Sequence, residues 1–432
     1  MKILWICNGL HFPDICRELN LQEPVTGGWM KSLMEALLSE YSDLEIGIAA
    51  LYDKTNILIE KKINKVTYFC LPFKNLQSSY GPELGKCWKN IDANFKPDVV
   101  HIHGTEFPFG LEYIKSCGAQ NVVASIQGLI SVIARYSLGN IPISELKKCQ
   151  TLYGVIKEHL LNTPKNMLKS GMTVEAEYMK VLNHVIGRTS WDRDHVWALN
   201  SNLQYHFGNE CLRNSFYELK NRWSLENCEK HTIFLSQAQK PIKGLHKMIE
   251  AMPYVLRDYP DTKVYIAGYD FINTKTIKEK IKFSTYANYI LYLLKKFKIR
   301  KHFIFTGPLN EQEMVQRYQK SHIFVCPSSI ENSPNSLGEA QILGLPCIAS
   351  YVGGIPDMIV DGVTGFMYRF EEHEMLAKHI CNIFSKDHIA QKISENAQQV
   401  AYIRHNRTLN AKKTYDIYLQ IIEELNKDST QK

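Results

Sequence analysis

Residues 328–350, SSIENSPNSLGEAQILGLPCIAS, follow directly on the strand-like run Ile323–Cys326 and read as a polar loop, a helix and a second strand. Strand, loop, helix and strand in that order form the repeating unit of a parallel α/β sheet. The loop carries Glu331, and Glu339 follows just inside the helix. A helix start leaves backbone N–H groups without internal partners at the positive end of the dipole, which favours a phosphate. Asn335, Ser336 and Leu337 stand at that start. A purely structural reading competes: Ser336 and Glu339 have the S-x-x-E spacing of a capping box, in which the glutamate only ties down the helix.

Outward from this stretch, the same alternation recurs on both sides. Toward the C-terminal half it predicts strands at Thr232–Leu235, Lys263–Ala267, Phe303–Phe305, Ile323–Cys326 and Cys347–Ser350, with helices at Gly244–Leu256, Glu311–Gln319 and Ser336–Leu343. In the first half, strands are predicted at Ile3–Cys7, Ile46–Leu51, Val66–Cys70, Val99–His103, Val122–Ile126 and Val185–Arg188. Helices are predicted there at Met30–Glu40, Ser144–Leu161 and Met172–Leu182, with another from Trp191. The short apolar runs are of the kind buried on both faces of a parallel sheet. Two such runs of alternation imply two doubly wound, Rossmann-like domains, expected at residues 1–222 and 223–407. A last helix, at about 408–425, carries Tyr415, Ile417, Tyr418, Ile421 and Ile422, an apolar pattern suited to packing on a domain.

A chain of 432 residues can hold two separate cores, and its 45% hydrophobic and 22% charged content excludes disordered and fibrous classes. The N-terminal apolar run Ile3–Cys7 is shorter than a signal h-region, and no stretch approaches a membrane span, so a cytoplasmic location is expected. Eleven cysteines, without a C-x-x-C pair, indicate neither a disulfide framework nor a zinc site. The net charge of +7 is concentrated between Lys275 and Lys301, where nine Lys or Arg face one acidic residue, Glu279. Within this segment, residues 286–297 read as a helix with aromatic and aliphatic side chains on one face. Such a helix suits peripheral contact with anionic membrane, or equally a crossover helix whose aromatics are core. No nucleic-acid partner is expected.

Several further residues fall after predicted strands, where open α/β sheets bind ligands. Gly27 and Gly28 follow the first strand, and paired glycines let backbone N–H groups approach an anion, or simply cap a helix. Lys243-Gly244 opens the first helix of the second domain. His101, His103 and Glu106 lie at the end of a first-half strand, with both histidines on one face, but no third residue completes a metal site. Gln127-Gly128 follows the next strand; a glutamine hydrogen-bonds a hydroxyl but exchanges no proton near neutral pH. Asp192 and Asp194 have the D-x-D form of a cation site, yet they stand at an apparent helix start, where acidic residues favour the dipole.

Glu331-x7-Glu339, with Ala340, Leu343-Gly344-Leu345-Pro346, Gly353-Gly354-Ile355-Pro356-Asp357 and GVTGF at 362–366, resembles the retaining glycosyltransferases of family 4. The resemblance implies a GT-B fold, two Rossmann-like domains facing a central cleft, with the last helix crossing back to the N-terminal domain. It implies a UDP- or GDP-sugar donor, a glycan or lipid-linked acceptor as in surface polysaccharide assembly, and no metal or other cofactor. By the same resemblance, Glu331 would hold the transferred sugar, Glu339 the ribose, and Lys243 with Asn335, Ser336 and Leu337 the diphosphate, while Gly27 and Gly28 would approach the donor diphosphate or the acceptor. His103, Glu106, Gln127 and Arg188 would lie on the acceptor side. The family's arginine about five residues before the lysine is missing here, where Gln237, Gln239 and Lys240 stand, so Lys240 or Arg188 would supply the charge. An inert sugar-nucleotide binder and a GT-B sugar phosphorylase are the competing readings.

Overall fold

The computed structural model describes residues 1–24, 27–72, 82–155, 163–218, 220, 222–274, 276 and 283–430. The chain forms two compact units. One comprises Met1–Ser131, Leu168–Arg213 and His405–Lys432; the other comprises Val132–Met167 and Asn214–Arg404. The change of unit at Arg213–Asn214 lies nine residues before the expected division, and the whole segment Val132–Met167 was expected in the first domain.

The first unit is built on an eight-stranded sheet: β1 (Lys2–Cys7), β2 (Glu45–Tyr52), β3 (Ile59–Ile63), β4 (Val66–Pro72), β5 (Val99–His103), β6 (Val122–Ser125), β7 (His184–Gly187) and β8 (Gln204–Phe207). Their order is β3-β4-β2-β1-β5-β6-β7-β8, parallel throughout except for the antiparallel β3–β4 pair. Every residue of β1 after Lys2 and every residue of β5 is buried, which is why both read as uninterrupted apolar runs. Strand order reverses between β1 and β5, so the loops at their carboxyl ends border a crevice.

The second unit has six parallel strands: β9 (Thr232–Leu235), β10 (Lys263–Ile266), β11 (Phe303–Phe305), β12 (Ile323–Cys326), β13 (Cys347–Ser350) and β14 (Phe366–Tyr368). Their order is β11-β10-β9-β12-β13-β14, and the reversal falls between β9 and β12, which pair through Ile233 with Ile323 and Phe234 with Phe324. The loops carrying Lys243 and Glu331 therefore flank the switch point of this sheet. The architecture is that of two doubly wound Rossmann-like units.

Strands β3, β8 and β14 were not anticipated. Two of them end a sheet and β14 ends the other, where polar or short sequences such as IEKKI and QYHF blunt the open edge and leave no apolar run to recognise. The helix expected at Ser144–Leu161 is interrupted: a short helix, Ile143–Lys148, is followed by a break and by helical backbone at 152–155, with residues 156–162 outside the described ones. At the break the Cys149 carbonyl accepts from Asn288 Nδ2 at 2.9 Å, and Thr151 Oγ1 donates to the Phe283 carbonyl at 2.7 Å while accepting the Gly154 N–H at 2.9 Å. The Cys149 carbonyl, which an unbroken helix would use, is thus engaged by a side chain from elsewhere in the unit.

The aromatic face of the basic segment belongs to the core: in the helix Thr285–Phe297, Tyr286 and Tyr289 are buried and only Tyr292 among its tyrosines is substantially exposed. Lys275, Lys278, Lys280 and Lys282 lie outside the described residues. No described helix is long and apolar enough to cross a membrane. The last helix, Arg407–Thr430, packs into the first unit, where the Tyr418 hydroxyl accepts from Trp5 Nε1 at 3.0 Å and meets His101 Nδ1 at 2.7 Å.

Candidate functional site

Two glycines bring the loops of the second unit together. Gly244 has φ +70°, and a Cβ there would stand 1.6 Å from the Pro327 carbonyl oxygen. Gly353 has φ +52°, and a Cβ would stand 1.9 Å from the Glu331 carbonyl oxygen. Only glycine tolerates both the left-handed backbone and such close approach. The Gly354 N–H then donates to the Glu331 carbonyl at 3.0 Å, and the Ser329 N–H donates to the Ile242 carbonyl at 2.8 Å. Three loops, those after β9, β12 and β13, are thus tied to one another through their backbones.

Their side chains converge as well. Lys243 Nζ donates to Glu331 Oε1 at 2.6 Å, and Ser328 Oγ donates to the same oxygen at 2.7 Å. Burial alone would pull the Lys243 pKa down, but the Glu331 carboxylate beside it more than reverses this, so the lysine is firmly protonated. Among the described residues nothing pairs with Glu331 Oε2, and an ammonium has two further donors beyond the one given to Glu331. The ion pair therefore presents both an anionic acceptor and a cationic donor to whatever enters.

The helix Asn335–Leu343 begins next to this pair, capped by Pro334 with no side-chain hydrogen bond. The capping box offered by Ser336 and Glu339 does not form, because the helix starts one residue earlier and Ser336 is already inside it. Glu339 is 5% exposed, one turn further in. The Leu337 N–H, expected to face a ligand, instead donates to the Pro334 carbonyl at 3.0 Å. The Ser336 N–H has no partner among the described residues. Lys240 is exposed three residues before Lys243 and forms no ion pair among the described residues.

A piece of the first half of the chain supports these loops. Ser329 Oγ donates to the Tyr136 carbonyl at 3.1 Å, His246 Nε2 meets the Gly139 carbonyl at 2.9 Å, and Asn140 Nδ2 donates to Glu371 Oε1 at 3.0 Å. Nothing in the sequence signals this, since the partners lie more than a hundred residues from one another.

In the first unit, the remaining candidates gather where β1, β5, β6 and β7 end. Gly27 is the left-handed N-cap of the helix Gly28–Glu40, and a Cβ there would strike His11, while one at Gly28 would strike Arg213. His11 and Arg213 carry no recognisable sequence signal. Arg188 is buried and committed: Nη1 meets Glu210 Oε1 at 2.5 Å, while Nη2 donates to the Ile126 and Gln127 carbonyls at 3.1 and 3.0 Å. Its charge is paired with Glu210 inside the first unit. The Glu106 carboxyl is pushed up to about 7, chiefly by burial, with Glu175 adding and Arg188 opposing. His101 and His103 are held neutral by burial, His101 down to about 3.

Asp192 serves the helix Ser190–Leu199: Thr189 Oγ1 accepts its N–H at 3.1 Å, and its carboxylate accepts from the Arg188 N–H at 2.9 Å and the Tyr205 hydroxyl at 2.6 Å. Asp194 pairs with Arg193. Among the described residues no group of three or more His, Cys, Asp or Glu is placed to hold a metal ion.

Residues 218–400 match the family model described as glycosyl transferases group 1. The putative glycosyltransferase YtcC of Bacillus subtilis is 26% identical over 202 residues, covering 46% of this chain and 47% of that one, so the chain spans about half the length of that relative. Sucrose-phosphate synthase from Thermosynechococcus elongatus superposes with a TM-score of 0.68 at 16% identity, covering 98% of this chain and all of the other. Anabaena Alr3699/HepE, solved with UDP-glucose, gives a TM-score of 0.62 at 14% identity over 99% and 100%. The chain is similar to group 1 glycosyltransferases, and its fold is GT-B.

Proposed function

We propose that the protein is a retaining, metal-independent glycosyltransferase of family 4 that moves a sugar from a nucleoside-diphosphate sugar to a hydroxyl group. The observation that carries this reading is the 2.6 Å contact between Lys243 Nζ and Glu331 Oε1, set at a sheet switch point beside a helix start whose Ser336 N–H is open. A diphosphate docked there meets the Ser336 N–H, the Asn335 end of the helix and the free donors of Lys243, with Lys240 in place of the absent arginine. Glu331 Oε2 accepts from hydroxyls of the transferred sugar, and Glu339 serves the ribose.

In the reaction, the bond between the anomeric carbon and the phosphate oxygen breaks while the acceptor oxygen bonds to the same face of that carbon. The acceptor's proton passes to the leaving phosphate oxygen. Lys243 and the helix start stabilise the charge developing on that phosphate, a preorganised electrostatic role. The first unit, through His103, Glu106 and Gln127, receives the acceptor, with Arg188 holding the Ile126–Gln127 backbone rather than touching substrate. That a structural neighbour was solved with UDP-glucose favours a uridine donor over a guanosine one. Assembly of surface polysaccharide on a lipid-linked intermediate, at the cytoplasmic face of a membrane, is the role proposed for the acceptor side.

A panel of UDP- and GDP-sugars, screened by thermal shift and then by release of nucleotide with and without EDTA, tests the reading. One nucleotide sugar should raise the melting temperature and be turned over in EDTA. Binding of none overturns the donor site, and a strict divalent-metal requirement overturns the metal-independent mechanism. Phosphorolysis in inorganic phosphate without nucleotide would identify a phosphorylase instead.

A further inference from the structure

The loops of the second unit meet again on the other side of Lys243. The strand order runs β11-β10-β9-β12, so the loop after β9, which carries Lys243, lies between the loops after β12 and β10. Gly268, just past the end of β10, has φ +110°. Its N–H donates to the carbonyl of Gly307, just past β11, at 2.9 Å, and a Cβ on it would stand 3.5 Å from Nε2 of Gln239, four residues before Lys243. The loops after β9, β10 and β11 therefore touch one another, as those after β9, β12 and β13 do.

Beyond Gly268 the chain is tied down almost at once. Asp270 accepts from Arg300 Nη2 at 2.9 Å and from the Ile272 N–H at 3.3 Å. The Phe271 ring stands edge-on to Phe305 at 5.6 Å, and Ile272 is buried. Tyr269 is the exception. At 70% it is the most exposed aromatic side chain among the described residues, and none of them stacks on its ring. An anchored loop thus holds a bare aromatic face outward at the ligand end of the sheet, where the flat face of another ring can stack on it.

The parts of a sugar nucleotide divide between the two groups of loops. Glu331, which serves the sugar, follows β12, and Lys243, which serves the diphosphate, follows β9. The base then falls on the remaining side, over β10, one strand spacing or about 4.8 Å further along the sheet. Every base has a π face, so stacking gives affinity whichever base is present.

We propose that Tyr269 is the platform on which the nucleobase of the donor stacks, holding the base without choosing among bases. The inference rests on the glycosyltransferase reading and names the residue that seats the base of its donor.

Calorimetry of UDP and GDP binding to the full chain tests it, with Tyr269→Ala and Tyr269→Phe beside the wild type. Whichever nucleotide the wild type binds should bind Tyr269→Ala about tenfold more weakly, the loss of one base–aromatic stack. Tyr269→Phe should stay within about twofold of wild type, because the ring and not the hydroxyl makes the contact. In saturation-transfer NMR the base protons should lose intensity relative to the ribose H1′ in Tyr269→Ala and not in Tyr269→Phe. Both variants should melt with the wild type, since the side chain lies outside the core. Wild-type affinity in Tyr269→Ala, or a loss in Tyr269→Phe as large as in Tyr269→Ala, overturns the stacking role and leaves the donor site standing. Binding of neither nucleotide by the wild type overturns the donor site itself, and the platform with it.

Discussion

Replacing Glu331 by glutamine removes one negative charge and little else. The side chain keeps its length, and its oxygen can still accept from Lys243 Nζ and Ser328 Oγ, the two donors that Oε1 now serves at 2.6 and 2.7 Å. A hydrogen bond to a charged group is worth roughly 1.5–3 kcal/mol and a neutral one about 0.5–1.5. The expected loss at a sugar hydroxyl bound to Oε2 is therefore about 1–1.5 kcal/mol, or roughly five- to tenfold in turnover. A second effect adds to it. Lys243, no longer neutralised, holds the ground-state diphosphate more tightly, so the donor KM should fall or stay level while kcat drops. Stability should change by no more than about 1 kcal/mol, because the Glu331 backbone remains pinned by Gly354. Steady-state kinetics with the cognate nucleotide sugar, alongside thermal melts, decides the matter. Unchanged kcat would remove Glu331 from the reacting centre, and a collapse of the melting temperature would make the ion pair a structural element instead.

Two other substitutions probe the frame around the site. Gly353→Ala forces a Cβ onto the Glu331 carbonyl oxygen at a left-handed φ, so it should cost roughly 1–3 kcal/mol of stability and a larger share of activity than Glu331→Gln; wild-type kinetics would show that the loop after β13 does not position Glu331. Glu106 should leave a pH signature. Its folded-state pKa, about 7, lies above that of the unfolded chain, so the folded state binds more protons in between and stability falls as pH rises from about 4.5 to 7. Glu106→Gln, which cannot ionise, should match the wild-type melting temperature near pH 4 and exceed it above pH 7. Equal melting temperatures at both ends would place the carboxyl in contact with solvent.

Much of this was legible in the chain because the information is local. Ile323–Cys326, the loop after it and the helix to Leu343 follow one another in sequence, and an apolar run ending in a Ser- and Pro-rich turn is a signal read within a few residues. The order of the elements also limits the topology, since parallel strands need crossover connections and place their loops at one end of the sheet. Lys243 and Glu331 could be singled out for that reason, each standing one loop beyond a readable strand.

Their 2.6 Å pairing could not, nor could the docking of Val132–Met167 on the second unit or the capture of Arg188 by Glu210. Each joins residues between 22 and 231 positions apart, and no periodicity carries such contacts. The roles of Leu337 and the S-x-x-E box turned on a single residue at the helix start, the kind of detail that Pro334, with no side-chain cap and a carbonyl that takes the Leu337 N–H, decides only once the backbone is in place. Sequence determined which loops carry the chemistry, because propensity and patterning act over a few residues. Tertiary structure decided which charges are already answered and which remain open, because burial and partnership depend on everything packed around them.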